Sequence, residues 1–556
     1  MTTPRTTAHR AFRHRFFRCP LDVALPAVLS LSVLLAGCQA TLPKSLADLP
    51  LAGSLVTAPL SPTAPLPPPA ARVWPDTAQD VLNQRARAFG LVNAPELQRY
   101  LNGLYARIKT QAGVPGWPGG IHLLASDAMQ AYATGAGNIY VSLPWINAAQ
   151  SEDEIVALLS HEFGHIYLHY HELEGAVADA NQAAEWLALG VGIAKKTAQA
   201  TGWNDVDTLV TVYTIGRGLA TTVYSRTQES AADNFGLNVS VKMGYSYEHG
   251  MKAFLERLAS WEEQNEARQA AQEKQTLQAV REQALRTTAA QNPKPNNAMS
   301  QSLQQSQGEM NAGVAAAFQQ FSFDFGKAAK KIGNDHPETV ERIDSLTALV
   351  APIPELQKPK EPVLAPFDQA RKERRTAALL ASYDLAFEVI KSPKDPKALA
   401  QARKATTGAT ATHAVPLFAL YNAMSEQPAP TRGARPDAGL VLEANFRSEP
   451  DRSWKLYQER SSRLQDARQT AAAKKVMEQG LAYFDKAEEP WPEAIRFYGE
   501  TQGWDDAKKL AQNCSKNFRS MATRCLQAAA SPAELAEVAR KSKEKADQIG
   551  KQLFRQ

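Results

Sequence analysis

The sequence predicts an α+β fold: a mostly helical domain with one small sheet, then an all-α C-terminal region of helical-repeat, tetratricopeptide-like character. Three observations predict it. Two strand-like pieces, "GGIHLLAS" and "AGNIYVSLP", lie among helix-patterned segments, the second as a hairpin partner of the first. A capping box, Ser151 followed by Glu154, opens onto "IVALL" and starts a long helix. Beyond residue 366 the chain is Ala-rich, and "AAKKVMEQGLAYFDKA", "WPEAIRFYGETQG", "WDDAKKLAQNC" and "SPAELAEVARKSKEKADQIGKQL" read as successive short helices. Adjacent pairs with brief turns suggest a solenoid, but no strict period of about 34 residues is visible, so a plain helical bundle stays open.

The chain begins with a processing pattern. Residues 1–37 hold Arg5, Arg10, Arg13, Arg15 and Arg18 against Asp22, which is +4 of the chain's formal +5. The remainder is nearly neutral and gives no reason to invoke nucleic acid. An apolar run, "LDVALPAVLSLSVLLAGC", follows the arginines and is shorter than the about 20 residues of a membrane span. It ends in Leu35-Ala36-Gly37-Cys38, which resembles a bacterial lipobox. That resemblance implies a lipoprotein signal peptide over 1–37 and lipid on Cys38, the membrane attachment. Gln39 in place of Asp resembles sorting to the periplasmic side of the outer membrane of a Gram-negative cell. Residues 38–77 are Pro-rich and read as an extended, semi-rigid linker. Cys514 and Cys525 are the two cysteines left beyond Cys38. They read either as a disulfide of an oxidising compartment or as two buried thiols.

The expected body spans 78–350. A Gln/Ala-rich insertion, 259–330, interrupts it and reads as helical or partly disordered. A Pro-rich hinge, 351–366, separates it from the helical region 367–556.

Ten histidines serve the whole chain, and four stand in "SHEFGHIYLHYH", Ser160 to His171. On a helix, His161 and His165 are one turn apart on one face and can hold one Zn²⁺. Glu162 lies on the adjacent face and can reach a water there. This is the H-E-x-x-H arrangement of zinc peptidases. His165 and His169 form a second pair, but Ile166 follows instead of a carboxylate, so the pair has no base. His169 and His171 read as ordinary helix-end residues. Ile155, Leu159, Phe163 and Ile166 form the opposite, core-facing stripe of an amphipathic helix. Glu229 and Asp233, one turn apart in "SRTQESAAD", read either as a third ligand with a supporting acid or as a solvated helix face.

Four blocks in order carry a specific resemblance: "MQAYATGAGNIYVSLPWI", "SEDEIVALLSHEFGHIYLHY", "YSRTQESAADNFGLNVSVKMGY" and "DHPETVERIDSL". Together they resemble the HtpX/CAAX-prenyl-protease-type family of zinc metallopeptidases, gluzincins with a distal E-x-x-x-D, over about residues 80–350. Two positions depart from the family's first block: Gln130 stands where it has Asn, and Ala136 where it has Gly. The resemblance implies one Zn²⁺ per chain held by His161, His165 and Glu229, with Glu162 as general base. Asp233 would support a ligand histidine from behind. His336 and Arg342 fall in the family's His-Pro block: the resemblance implies that His336 regulates the site by approaching the metal or helps place substrate, and that Arg342 is structural or orients substrate. The most apolar stretch after the signal, Trp186–Ala194, is too short to span a bilayer, so the similarity is to the soluble-bodied, periplasmic branch. The expected activity is endopeptidase action on unfolded or misfolded envelope proteins, with "NIYVS" receiving substrate as an added strand. A second reading is a chaperone or scaffold lipoprotein whose C-terminal helices bind outer-membrane assembly machinery, with proteolysis latent.

Overall fold

The computed structural model describes residues 60–69, 71–168, 226–264, 339–427, 437–518, 521–531 and 533–534. The expected signal peptide, Cys38, His169, His171, Trp186–Ala194, His336 and almost all of the expected insertion lie outside these residues. All described residues belong to one compact unit, Pro50–Gln556.

Helix α1 (Thr77–Ala86) starts at Asp76, whose carboxylate accepts from the amides of Ala78 (2.8 Å) and Gln79 (3.2 Å). A four-stranded sheet follows from β1 (Leu91–Val92), β2 (Ile121–Leu124), β3 (Ala131–Ala133) and β4 (Ile139–Ser142), in the order β1-β2-β4-β3. Helix α2 (Pro95–Gln111) joins β1 to β2. The expected hairpin between "GGIHLLAS" (β2) and "AGNIYVSLP" (β4) is not formed. β2 and β4 pair in parallel, Ile121 opposite Ile139, and the hairpin is between β3 and β4. Parallel partners need a crossover, and the excursion through edge strand β3 supplies it. β4 is therefore paired on both sides and cannot accept an added strand; β3 is the edge beside it.

Asp80 of α1 fastens the helix to the sheet. Its Oδ2 accepts from Thr134 (2.7 Å), Asn138 (2.8 Å) and Tyr140 (2.7 Å). On its other side, α1 places Leu82 and Ala86 in a core made with C-terminal helices.

After α3 (Leu143–Ala148) comes the central helix, α4, residues 152–168. The capping box is present: Ser151 Oγ accepts from the Glu154 amide (3.1 Å), and Glu154 reaches back to the Gln150 amide (3.0 Å). The helix is not amphipathic in the expected sense. Every residue from 151 to 167 is buried, because its polar side is covered by helices that bring charged partners of their own. Those helices are α5 (Arg226–Lys242), α6 (residues 253–264, after a π turn at Glu248–Lys252) and α7 (Thr339–Val350).

Both Pro-rich segments are fixed to this body where they are described. Val363, in the expected hinge, donates to Asp153 (2.7 Å) and accepts from the Glu152 amide (2.8 Å), so it grips the N-terminus of α4. Residues 60–75, in the expected spacer, bond to α4 and α5.

Apart from a single turn at Pro354–Gln357, the remaining described α-helices are α8 (Ala365–Lys372), α9 (Arg374–Lys391), α10 (Ala398–Ala405), α11 (Ala414–Ser425), α12 (Trp454–Asp466), α13 (Thr470–Phe484), α14 (Pro490–Thr501), α15 (Trp504–Asn517) and α16 (Ala522–Ala528). Neighbours stack in sequence, as the Ala-rich pattern predicts. The first four do not stand apart: Phe367, Leu379, Tyr383, Ala402 and Val415 share one apolar core with α2, α4 and α5. Cys514 and Cys525 form a disulfide between α15 and α16.

Candidate metal centre

The centre is built where α4 and α5 cross. Two glycines set how closely they approach. A Cβ on Gly164 would lie 3.1 Å from Cα and O of Ala232, and one on Gly236 would lie 3.0 Å from the His161 nitrogen. Side chains at either position would force the helices apart. Neither glycine figured in the sequence reading; the available signal was a glycine inside each of two helical patterns.

The crossing brings together His161 and His165 of α4 and Glu229 of α5. The two histidine Nε2 atoms are 3.2 Å apart. Glu229 Oε2 is 3.6 Å from His161 Nε2, and its Oε1 is 3.5 Å from His165 Nε2. Among the described residues this is the group able to hold a metal ion. Its spacing tests the fit. Donors about 2.0–2.1 Å from a tetrahedral centre stand about 3.3 Å from one another; the histidine pair is close to that value, and each histidine nitrogen has a different Glu229 oxygen a few tenths of an ångström beyond it.

Charge gives an independent test. Glu162, Glu229 and Asp233 are buried around the two histidines, with Arg342 of α7 as the cation facing them. Three carboxylates against one guanidinium leave two negative charges uncompensated when all are ionised. Buried charge must be balanced; protons held on Glu162 and His161 balance it in the metal-free site, and a divalent cation would take their place. The residues present therefore fit the metal the motif implies.

Asp233 lies behind His161, its Oδ1 2.9 Å from Nδ1. The contact is an ion-pair approach, not a well-aligned hydrogen bond. It leaves Nε2 facing Glu229, as a carboxylate behind a ligand histidine does. Arg342 forks onto Asp233 with Nε and Nη2, both at 2.7 Å, and Nη2 also reaches Glu229 Oε2 at 3.1 Å. It thus ties the supporting acid to the candidate ligand, which gives the structural alternative for this residue its particular form. Phe254 of α6 packs against the His161 ring at 5.6 Å and limits its rotation.

Burial raises the Asp233 carboxyl, but Arg342 and then His161 outweigh it and hold the group well below the usual carboxylate range. For His161, burial works downward and is overcome by Asp233, Glu229 and Glu162, so its pKa is raised. Glu162 is pushed up to about 7, by burial first, with His161 lowering and Glu229 raising it. A carboxyl near neutrality can both accept and release a proton.

The sequence-predicted residues His161, Glu162, His165, Glu229, Asp233 and Arg342 thus meet in one buried cluster. His336 lies outside the described residues, and Cys514 and Cys525 lie in the C-terminal helices.

Comparison with known proteins agrees with the resemblance carried by the four blocks. The chain is similar to proteins named "Beta-barrel assembly-enhancing protease" from Escherichia coli K12, Shigella flexneri and Escherichia coli O157:H7. Each is 26% identical over 172 residues, 30% of this chain and 34% of the relative. The match spans about a third of the length of those relatives. Residues 93–350, which contain the whole cluster, match the sequence profile of Peptidase family M48, so this part of the chain is a Peptidase family M48 domain.

Proposed function

We propose that the chain is a zinc-dependent endopeptidase of the bacterial cell envelope that hydrolyses unfolded or misfolded polypeptides. The observation that carries this reading is the His161–His165–Glu229 donor triangle with Glu162 buried beside it. The three residues would hold the ion, which would supply the polarisation of a peptide carbonyl and the acidification of water. Glu162 takes the proton of the attacking water and returns it to the leaving amine. Asp233 and Arg342 hold His161 and Glu229 in place during this exchange. An extended substrate adds to the edge strand β3 (Ala131–Ala133), where main-chain bonding gives loose sequence preference.

The lipobox at Cys38 and the relatives' printed name support a place on the periplasmic side of the outer membrane. The relatives' printed name also supports a link to β-barrel assembly. The test compares Glu162→Gln with the wild type on an unfolded protein substrate, with bound zinc measured in both. The expected result is zinc retained and cleavage reduced by about 10²–10⁴-fold. Equal cleavage, or no zinc in either protein, would end the proposal.

A further inference from the structure

We infer that the Pro-rich residues 60–75 staple the two metal-binding helices together, and that Arg72 is a positioning residue for the metal centre. This rests on the metal reading above and extends it to a segment whose composition suggests a passive spacer.

The staple has one foot on each helix. On α5, Asn238 Nδ2 donates to the carbonyls of Ser61 (2.8 Å) and Ala64 (2.9 Å), and Lys242 donates to Ala64 as well. On α4, the Tyr167 hydroxyl donates to the Pro67 carbonyl (2.8 Å). Arg72 completes this foot. Its Nη1 donates to the Ile166 carbonyl (2.9 Å) and its Nη2 to the Tyr167 carbonyl (3.2 Å), the first two carbonyls after His165.

The guanidinium is itself held from the side. It lies 3.8 Å from the Trp117 ring centre and 5.0 Å from that of Trp74. Trp117 packs on Phe163 (5.8 Å) and Tyr167 (5.4 Å) of the same turn of α4. Both of these rings meet Phe235 of α5, at 5.9 Å and 4.8 Å. Arg72 thus bonds the backbone of the His165 turn and stacks on rings that bear on the helix carrying Glu229 and Asp233. The crossing at Gly164 and Gly236 is closed directly by Phe235 against Phe163 and Tyr167, and the Pro-rich segment and Arg72 add closure from outside. Lys replaces Arg only in part here, because an ammonium lacks the planar fork that spans two carbonyls and the flat face that lies on the Trp117 ring.

The experiment measures zinc affinity of the full chain by competition with a chromophoric chelator, alongside thermal unfolding of the metal-free protein. Arg72→Ala is expected to weaken zinc about tenfold, the low end for residues that support metal ligands from outside, and Arg72→Lys to recover part of it. Met477→Ala, in the separate C-terminal core, is the control. It should lower the unfolding temperature and bind zinc as the wild type does. If Arg72→Ala is too unstable to purify, the comparison passes to Arg72→Lys, which must still bind zinc more weakly than the wild type. Wild-type affinity in the Arg72 variants would overturn the inference, as would an equal loss in Met477→Ala. A wild-type chain that takes up no zinc would instead overturn the metal reading beneath it.

Discussion

Gly236→Ala isolates the helix crossing from the ligands themselves. The added Cβ would stand 3.0 Å from N and 3.1 Å from Cα of His161, and 3.3 Å from the Ser160 carbonyl carbon, all backbone atoms with no rotamer to change. Ordinary contact begins near ~3.5 Å, so α5 must move off α4 by about half an ångström. Two stability effects oppose each other. Alanine in a helix gains about 1 kcal/mol over glycine, and overpacking costs about 1–3 kcal/mol. The metal-free protein should therefore be unchanged or destabilised by up to about 2 kcal/mol. Zinc affinity has no such offset. The Glu229 oxygens already lie 3.5 and 3.6 Å from the histidine nitrogens, and withdrawal moves them further from the separation a tetrahedral ion needs. A tenfold loss of affinity, about 1.4 kcal/mol, is expected. Gly103→Ala in α2 is the matched control, since nothing lies within 4 Å of its Cβ. It should stabilise by about 1 kcal/mol and leave zinc binding alone. Urea unfolding of the metal-free proteins and chelator competition read both quantities. If Gly236→Ala behaves like Gly103→Ala, the close crossing does not set the ligand spacing.

Two further predictions concern charge and the disulfide. Burial pushes the Glu162 carboxyl up to about 7 in the fold from its ordinary 4.5, so the folded state holds its proton more tightly, and stability from this group is lost as pH rises between those values. Metal-free Glu162→Gln should therefore match the wild type near pH 4.5 and exceed it by about 3 kcal/mol at pH 8; a gap independent of pH in urea unfolding would refute this. Cys514→Ser opens an 11-residue loop and should cost about 3 kcal/mol. Differential scanning calorimetry should show the loss matched by adding reductant to the wild type, and reductant having no effect on the variant.

What the sequence disclosed follows the range of each interaction. His161, Glu162 and His165 were legible because one helical turn fixes their relation, and the Ser151–Glu154 cap because it closes within four residues. Glu229 stands 64 residues beyond His165, and spacing alone left it between ligand and solvated acid; the ordered blocks resolved it. The sheet was legible as strands but not as an order, since "GGIHLLAS" and "AGNIYVSLP" read the same whether paired in parallel or as a hairpin. The Pro-rich segments were the largest departure, and the reason lies in the chemistry of proline. Composition reports local stiffness, from which a free spacer follows. It does not report where the carbonyls go. A proline lacks the N–H donor but keeps its acceptor, so such a segment is suited to accept bonds from side chains on whatever it crosses. Ser61, Ala64 and Pro67 do so, from Asn238, Lys242 and Tyr167. Val363 does so from the α4 backbone. Those donors were visible as residues on two helices, and their use depends on the crossing that Gly164 and Gly236 permit. The spacer could therefore be recognised as a staple only after the helix pair beneath it was known.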